Sequence, residues 1–168
     1  MKIQSKYLEY IAIMAAILII VVFNLFTPYI TGAEAPMAVV SGTSMLPLFH
    51  EGDIVFLYKP SPRDIRVGDV IVYKRCGGGY IIHRVIDIIV VGNRYYYVTK
   101  GDNNPFDDSR LGQFYEYSPV RICSSIRVPG IPYERIVGVA AEINGMTLKI
   151  PYLGYISFMF THFFGSSR

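Results

Sequence analysis

The chain has no tryptophan, only two cysteines and only three histidines in 168 residues, and its net charge is a slight +3. Cys76 and Cys123 cannot fill a zinc site by themselves, and neither has metal-ligand spacing around it. In an oxidising compartment they could bond to each other instead. The charges are scattered without a basic stripe, which argues against nucleic acid as a partner. A phosphate-cradling loop is also lacking. Gly77-Gly78-Gly79 is not followed by Lys and Ser or Thr and opens a strand pattern, so it reads as a turn. The Asp-rich stretch at 100–108 fails as an EF-hand, with Asp107 where the sixth-position Gly belongs and Gln113 at the twelfth. The sequence therefore predicts neither a metal nor a cofactor.

What the chain does have is one long apolar run. Residues 10–26 read YIAIMAAILIIVVFNLF, with Asn24 as the only strongly polar member, and the apolar character continues through Pro28, Tyr29 and Ile30. About 20 such residues cross a hydrocarbon core of roughly 30 Å as a helix. A cleavable signal peptide would need only about 7–15 apolar residues, so the length favours a retained anchor. Lys2 and Lys6 precede the run and Glu34 is the first charge after it, which puts the N-terminus in the cytoplasm and the remainder outside. The expected organisation is a cytoplasmic N-terminus and single-pass transmembrane anchor over 1–30, with membrane lipid as its first partner, and an extracytoplasmic domain over 31–147.

That remainder is long enough for one core and too short for two. Short β-branched and aromatic runs at 37–40, 53–58, 69–74, 80–91, 95–100, 120–126 and 136–143 are separated by Gly, Asp and Asn turns, with no convincing soluble helix. The fold class expected is mainly β, antiparallel, closed or partly closed. Residues 148–168 turn hydrophobic again but carry Pro151, Gly154 and His162. The segment reads as an interfacial element, a marginal second membrane element, or part of the core.

Hydrolytic chemistry has candidates in this domain. A serine becomes a nucleophile when a base can take its proton and N–H donors stand beside it. Ser44 follows Gly42 in a tight loop, and Met45, Leu46, Leu48 and Phe49 beside it could form an apolar apron on a membrane. His50, in the following turn, is the weaker base candidate. His83 interrupts the apolar strand 80–86 and is the stronger one. The 100–108 loop offers Asp102 and Asp108 as carboxylates to orient His83, completing Ser-His-Asp logic.

Read in order behind the apolar run, these pieces resemble the type I signal peptidase family in its archaeal and endoplasmic-reticulum branch. The matching segments are Ser44-Met45 followed by Pro47, Gly52-Asp53-Ile54-Val55, Gly68-Asp69-Val70-Ile71-Val72-Tyr73, Ile82-His83-Arg84-Val85, and Lys100-Gly101-Asp102-Asn103-Asn104 ending in Asp107-Asp108, within about residues 8–142. The resemblance implies a signal-peptidase-like β catalytic domain and a membrane-bound serine endopeptidase. Its substrates would be preproteins with signal peptides, cut after small residues, with translocon or accessory subunits as candidate partners. Bacterial relatives use a lysine base, whereas His83 stands in the corresponding strand here. The roles implied are Ser44 as nucleophile, His83 as base and then acid, and Asp108 as orienting carboxylate, with Asp102 its competitor. The Ser44 N–H supplies one oxyanion donor. The family's hydroxyl two positions before the nucleophile is Gly42 in this chain, leaving Thr43 or Ser41 as the second. Self-cleaving repressor-type peptidases share a serine nucleophile but use a lysine and carry a DNA-binding module. A membrane-tethered, non-catalytic β-domain that binds peptides or partner proteins is the remaining alternative.

Overall fold

The computed structural model describes residues 2–120 and 122–156. Helix α1 spans Lys2–Thr31 and stops at Gly32, whose positive φ of 64° is the left-handed conformation that commonly ends helices. Its described apolar side chains are exposed, Ile11 at 66% and Ile19 at 68%. Among the described residues no helix is long and apolar enough to cross a membrane. The span expected at 10–26 is therefore not established by the fold itself, and the side chains at 20 and 23–26 lie outside the described residues.

The domain after Gly32 is antiparallel β. Its strands are β1 (Met37–Val39), β2 (Ile54–Tyr58), β3 (Val70–Lys74), β4 (Tyr80–Val91), β5 (Arg94–Lys100), β6 (Tyr115–Ser118), β7 (Ile122–Arg127), β8 (Ile131–Pro132), β9 (Ile136–Ala140), β10 (Glu142–Ile143), β11 (Met146–Thr147) and β12 (Lys149–Ile150). The main sheet runs β1-β2-β9-β3-β4-β5-β8 with β12 beside β2, while β6-β7 and β10-β11 are separate hairpins. No described pairing joins β1 to β8, so the sheet stays open. The longer runs expected from the sequence all contain strands. The two-residue strands were illegible because so few residues carry no alternation.

Two cores sit on opposite faces of the central strands. Val70 and Val72 of β3 join Met45, Phe49, Val55 and Leu57 in one, while Ile71 and Tyr73 join Val85, Tyr97 and Ile131 in the other. This double burial explains the unbroken apolar run of β3, since a strand covered on both faces has no reason to alternate.

Cys76 and Cys123 form a disulfide with a Cα–Cα distance of 5.3 Å, tying the β3–β4 turn to β7. The end of the described chain is also tied in. Lys149 and Ile150 pair with Val55 and Ile54, and the Gly154 N–H donates to the Gly52 carbonyl at 2.8 Å. Residues 148–156 thus pack on the sheet, and the rest of the expected hydrophobic tail, 157–168, lies outside the described residues.

Candidate active site

Ser44 sits in the loop between β1 and β2, held from below by its neighbours. Met45 and Phe49 are 1% and 0% exposed and lock the loop into the first core, and the Phe49 N–H donates to the Met45 carbonyl at 3.0 Å. This corrects the expected membrane apron: two of its four side chains are core, and Leu46 and Leu48 are half-buried. Hydrophobicity beside Ser44 serves to fix the loop. His50 turns away, its ring tilted against Tyr152 at 6.1 Å between centroids, with its backbone N–H donating to Asp53 Oδ2 at 3.1 Å.

His83 lies on β4 opposite Ile71 of β3 and is 4% exposed. Its Nε2 is 3.1 Å from Ser44 Oγ, and its Nδ1 is 2.8 Å from both carboxylate oxygens of Asp108. Asp108 is fully buried. Its Oδ2 also accepts from the Tyr73 hydroxyl at 2.7 Å and the Thr99 hydroxyl at 2.5 Å. Burial and the adjacent Asp108 carboxylate push the Tyr73 phenol far above its usual range, so it stays protonated and donates to Asp108.

Asp102 stands elsewhere. It takes a two-pronged ion pair from Arg84, Nε to Oδ1 at 2.8 Å and Nη2 to Oδ2 at 2.7 Å. That hydrogen bond holds the Arg84 guanidinium above its ordinary range. Successive strand residues point to opposite faces, so His83 and Arg84 each recruit a different Asp from the same loop. The loop also grips the backbone at Ser44: the Asn103 N–H donates to the Ser44 carbonyl at 2.8 Å, and Asn103 Nδ2 to the Thr43 carbonyl at 3.2 Å. Gly101 is required for this approach, because a Cβ there would stand 2.7 Å from the Ser44 carbonyl oxygen.

Ser44 and His83 open onto a cleft of about 370 Å³, and Ser41 lines it whereas Thr43 does not. Its two walls are strand edges. Among the described residues β1 pairs only with β2, and β4 pairs with β5 only from Arg84 onward, so residues 80–83 have an edge that no described strand pairs. Ala38 and Val39 supply one apolar wall, Ile81 and Ile82 the other. An extended peptide between them would find backbone donors and acceptors on both sides, which is strand addition to an open edge. No group of three or more His, Cys, Asp or Glu side chains among the described residues could hold a metal ion.

Sequence reasoning missed Tyr73, Thr99, Asn103 and Gly101. Tyr73 and Thr99 look like ordinary strand residues, and nothing local signals that their hydroxyls converge on one carboxylate. Gly101 and Asn103 stood in a segment that carries the family resemblance, but nothing in the sequence assigned either of them a role at Ser44.

The antiparallel β-domain with this cleft agrees with comparison to known proteins, in which residues 4–113 match the Peptidase S24-like family. The chain is 30% identical over 151 residues to the signal peptidase complex catalytic subunit SEC11 of Schizophyllum commune, covering 80% of this chain and 69% of that protein. It is 43% identical over 84 residues to SEC11C of Homo sapiens, 49% of this chain and 44% of that one. With SEC11 of Plasmodium falciparum it shares 39% over 89 residues, 52% and 47% of the two chains. In the last two cases the match spans less than half the relative's length. The chain belongs to the Peptidase S24-like family, on the branch of type I signal peptidases shared by the endoplasmic reticulum and archaea.

Proposed function

We propose that this chain is a membrane-bound serine endopeptidase that removes N-terminal signal peptides from translocated preproteins, cutting after small residues. The observation that carries the reading is the unbroken contact series from Ser44 Oγ through His83 to buried Asp108, opening on a cleft between two free strand edges. Ser44 Oγ attacks the scissile carbonyl carbon while His83 Nε2 takes its proton. The Ser44 N–H and the Ser41 hydroxyl receive the oxyanion, a contribution of about 3 kcal/mol per donor in comparable sites. His83 then gives the proton to the departing amine, and the acyl-enzyme forms. Water, deprotonated by the same nitrogen, releases the signal peptide. Asp108 holds the imidazole with Nε2 toward Ser44 and stabilises the imidazolium. Ala38, Val39, Ile81 and Ile82 crowd the cleft with apolar walls, which suits small substrate side chains. No cofactor takes part.

Membrane attachment rests on α1. A 30-residue helix with apolar side chains such as Ile11, Met14 and Ile19 about two-thirds exposed needs a cover, and lipid supplies one without further protein. The orientation that follows has a cytoplasmic N-terminus and the catalytic domain outside. SEC11 proteins are named as subunits of a complex, so accessory subunits and a translocon are the partners to seek for this chain.

The test is preprotein cleavage by the full chain in detergent. Ser44→Ala, His83→Ala and His83→Lys should each abolish it in folded protein, since the pair acts as one unit and a lysine there would have no surroundings built to neutralise it. Near-normal turnover by folded His83→Ala would refute the dyad and leave peptide binding without catalysis as the surviving reading.

A further inference from the structure

Arg135 is fully buried, and among the described residues no carboxylate pairs with it. Its guanidinium donates to backbone carbonyls instead: Nε and Nη2 to Lys74 at 3.0 and 2.7 Å, and Nη1 to Gln113 and, at 3.3 Å, Tyr115. Nη2 also reaches the Gln113 side-chain oxygen at 3.2 Å. Burying a cation with only neutral partners is costly, and burial pulls the Arg135 guanidinium down while Tyr73 and Asp108 oppose that. Asp108 presents the reverse problem, an enclosed carboxylate whose partners are His83, Tyr73 and Thr99. Tyr73 lies between the two. Its ring centroid is 5.6 Å from the guanidinium carbon, and its hydroxyl donates to Asp108 at 2.7 Å.

We propose that Tyr73 is a positioning residue for the Asp108–His83 pair and that Arg135 is the buried counter-charge acting on Asp108 across the Tyr73 ring. The inference rests on the Ser44–His83–Asp108 reading above. Tyr73 and Thr99 both donate to Oδ2, so together they fix the plane of the carboxylate, and that plane sets the direction of the imidazole. The cation behind the ring strengthens the phenol as a donor and favours the carboxylate's charge in a low-dielectric site. Neither residue touches substrate, so the loss of either should change the chemical step while leaving binding intact. A purely structural Arg135 would do the opposite. It braces Gln113, which lines the cleft, and weakening that brace would raise KM.

Steady-state preprotein cleavage by the full chain in detergent separates these. Tyr73→Phe removes one hydroxyl and keeps the ring, and it should lower kcat about ten- to a hundredfold with KM unchanged, the range expected for losing a hydrogen bond to a charged group. Arg135→Lys keeps the charge and should retain more kcat than Arg135→Gln by about tenfold. If Arg135→Gln fails to fold, Tyr73→Phe alone decides. A folded Tyr73→Phe with kcat within about twofold of wild type overturns the proposal, as does an Arg135→Lys and Arg135→Gln pair that matches in kcat and differs only in KM. Ser44→Ala and Asp108→Asn run alongside: if either cleaves normally, the underlying triad reading has failed, whereas silent controls beside an active Tyr73→Phe defeat this inference alone.

Discussion

Lys149 and Asp53 form an ion pair at 2.8 Å, and the same ammonium donates to the Leu48 carbonyl at 2.7 Å. A residue near the end of the described chain thus braces the loop that carries Ser44. Burial alone would push the Asp53 carboxyl up, but the Lys149 hydrogen bond and the backbone N–H groups of His50 and Tyr152 outweigh it and hold the group below its usual range. The folded protein then takes up that proton less readily than the unfolded chain. The resulting stability is present above the ordinary carboxylate range, about pH 4, and is lost as pH falls below it. Lys149→Met should lower stability by about 2 kcal/mol at neutral pH, since Lys149 is partly exposed. It should also shrink the drop in Tm between about pH 6 and about pH 3. Thermal melts at both values check this, and an unchanged drop counts against the pair.

The two carboxylates of the 100–108 loop should separate cleanly by kinetics. Asp108→Asn leaves the imidazole in the wrong tautomer and its cation unsupported, so cleavage should fall by about 10⁴-fold with little change in Tm. Asp102→Asn loses only the partly exposed Arg84 pair and should cost less than about 1 kcal/mol of stability and a modest part of the rate. An inactive but stable Asp102→Asn would reverse the assignment.

Gly101→Ala is expected to act on Ser44 from behind. The added methyl would press on the Ser44 carbonyl at 2.7 Å, and backbone cannot swing aside as a side chain can. Since a misplacement of about 1 Å can cost about a hundredfold, cleavage should drop at least about tenfold, with a stability loss of about 1–3 kcal/mol. Rates near wild type would show that the loop tolerates the methyl.

Reduction of the disulfide, or a Cys76→Ser and Cys123→Ser double variant, releases a loop with a sequence separation of 47. The chain-entropy cost is about 4 kcal/mol at most. Cys76 is also tied to Gln113, its N–H donating to Oε1 at 2.9 Å, and Gln113 lines the cleft. We expect a lower Tm together with a higher KM. A lower Tm alone would mean that the cleft wall holds without the bond.

Deletion of residues 1–30 should leave a domain that still associates with lipid. With Met45 and Phe49 buried, apolar side chains exposed on the segment after β9 include Ile143, Met146, Tyr152 and Ile156. Paired Ile143→Lys and Met146→Lys changes should weaken liposome flotation of the truncated protein. A truncated domain that is monodisperse without detergent and ignores liposomes would count against this surface.

Much of this molecule is determined locally. The β-branched runs of β2 through β5 and the turns between them follow from residues in contact with their own neighbours, as does the apolar length of α1. Ser44 in a glycine-containing loop and His83 interrupting an apolar strand are chemically odd where they stand, and oddity is legible in one dimension. The tertiary structure alone decided which Asp faces which partner. Asp102 and Asp108 lie six positions apart on one loop, and their directions are set by β4, where His83 and Arg84 point to opposite faces. It also turned Met45 and Phe49 inward, because apolar side chains read the same whether they meet lipid or a core. The convergence of Tyr73, Thr99 and Asp108, with Arg135 behind them, joins three strand and turn regions far apart in the chain. No local pattern encodes it, since a hydroxyl on a strand acquires its partner only when pairing brings another strand's loop within 3 Å or so.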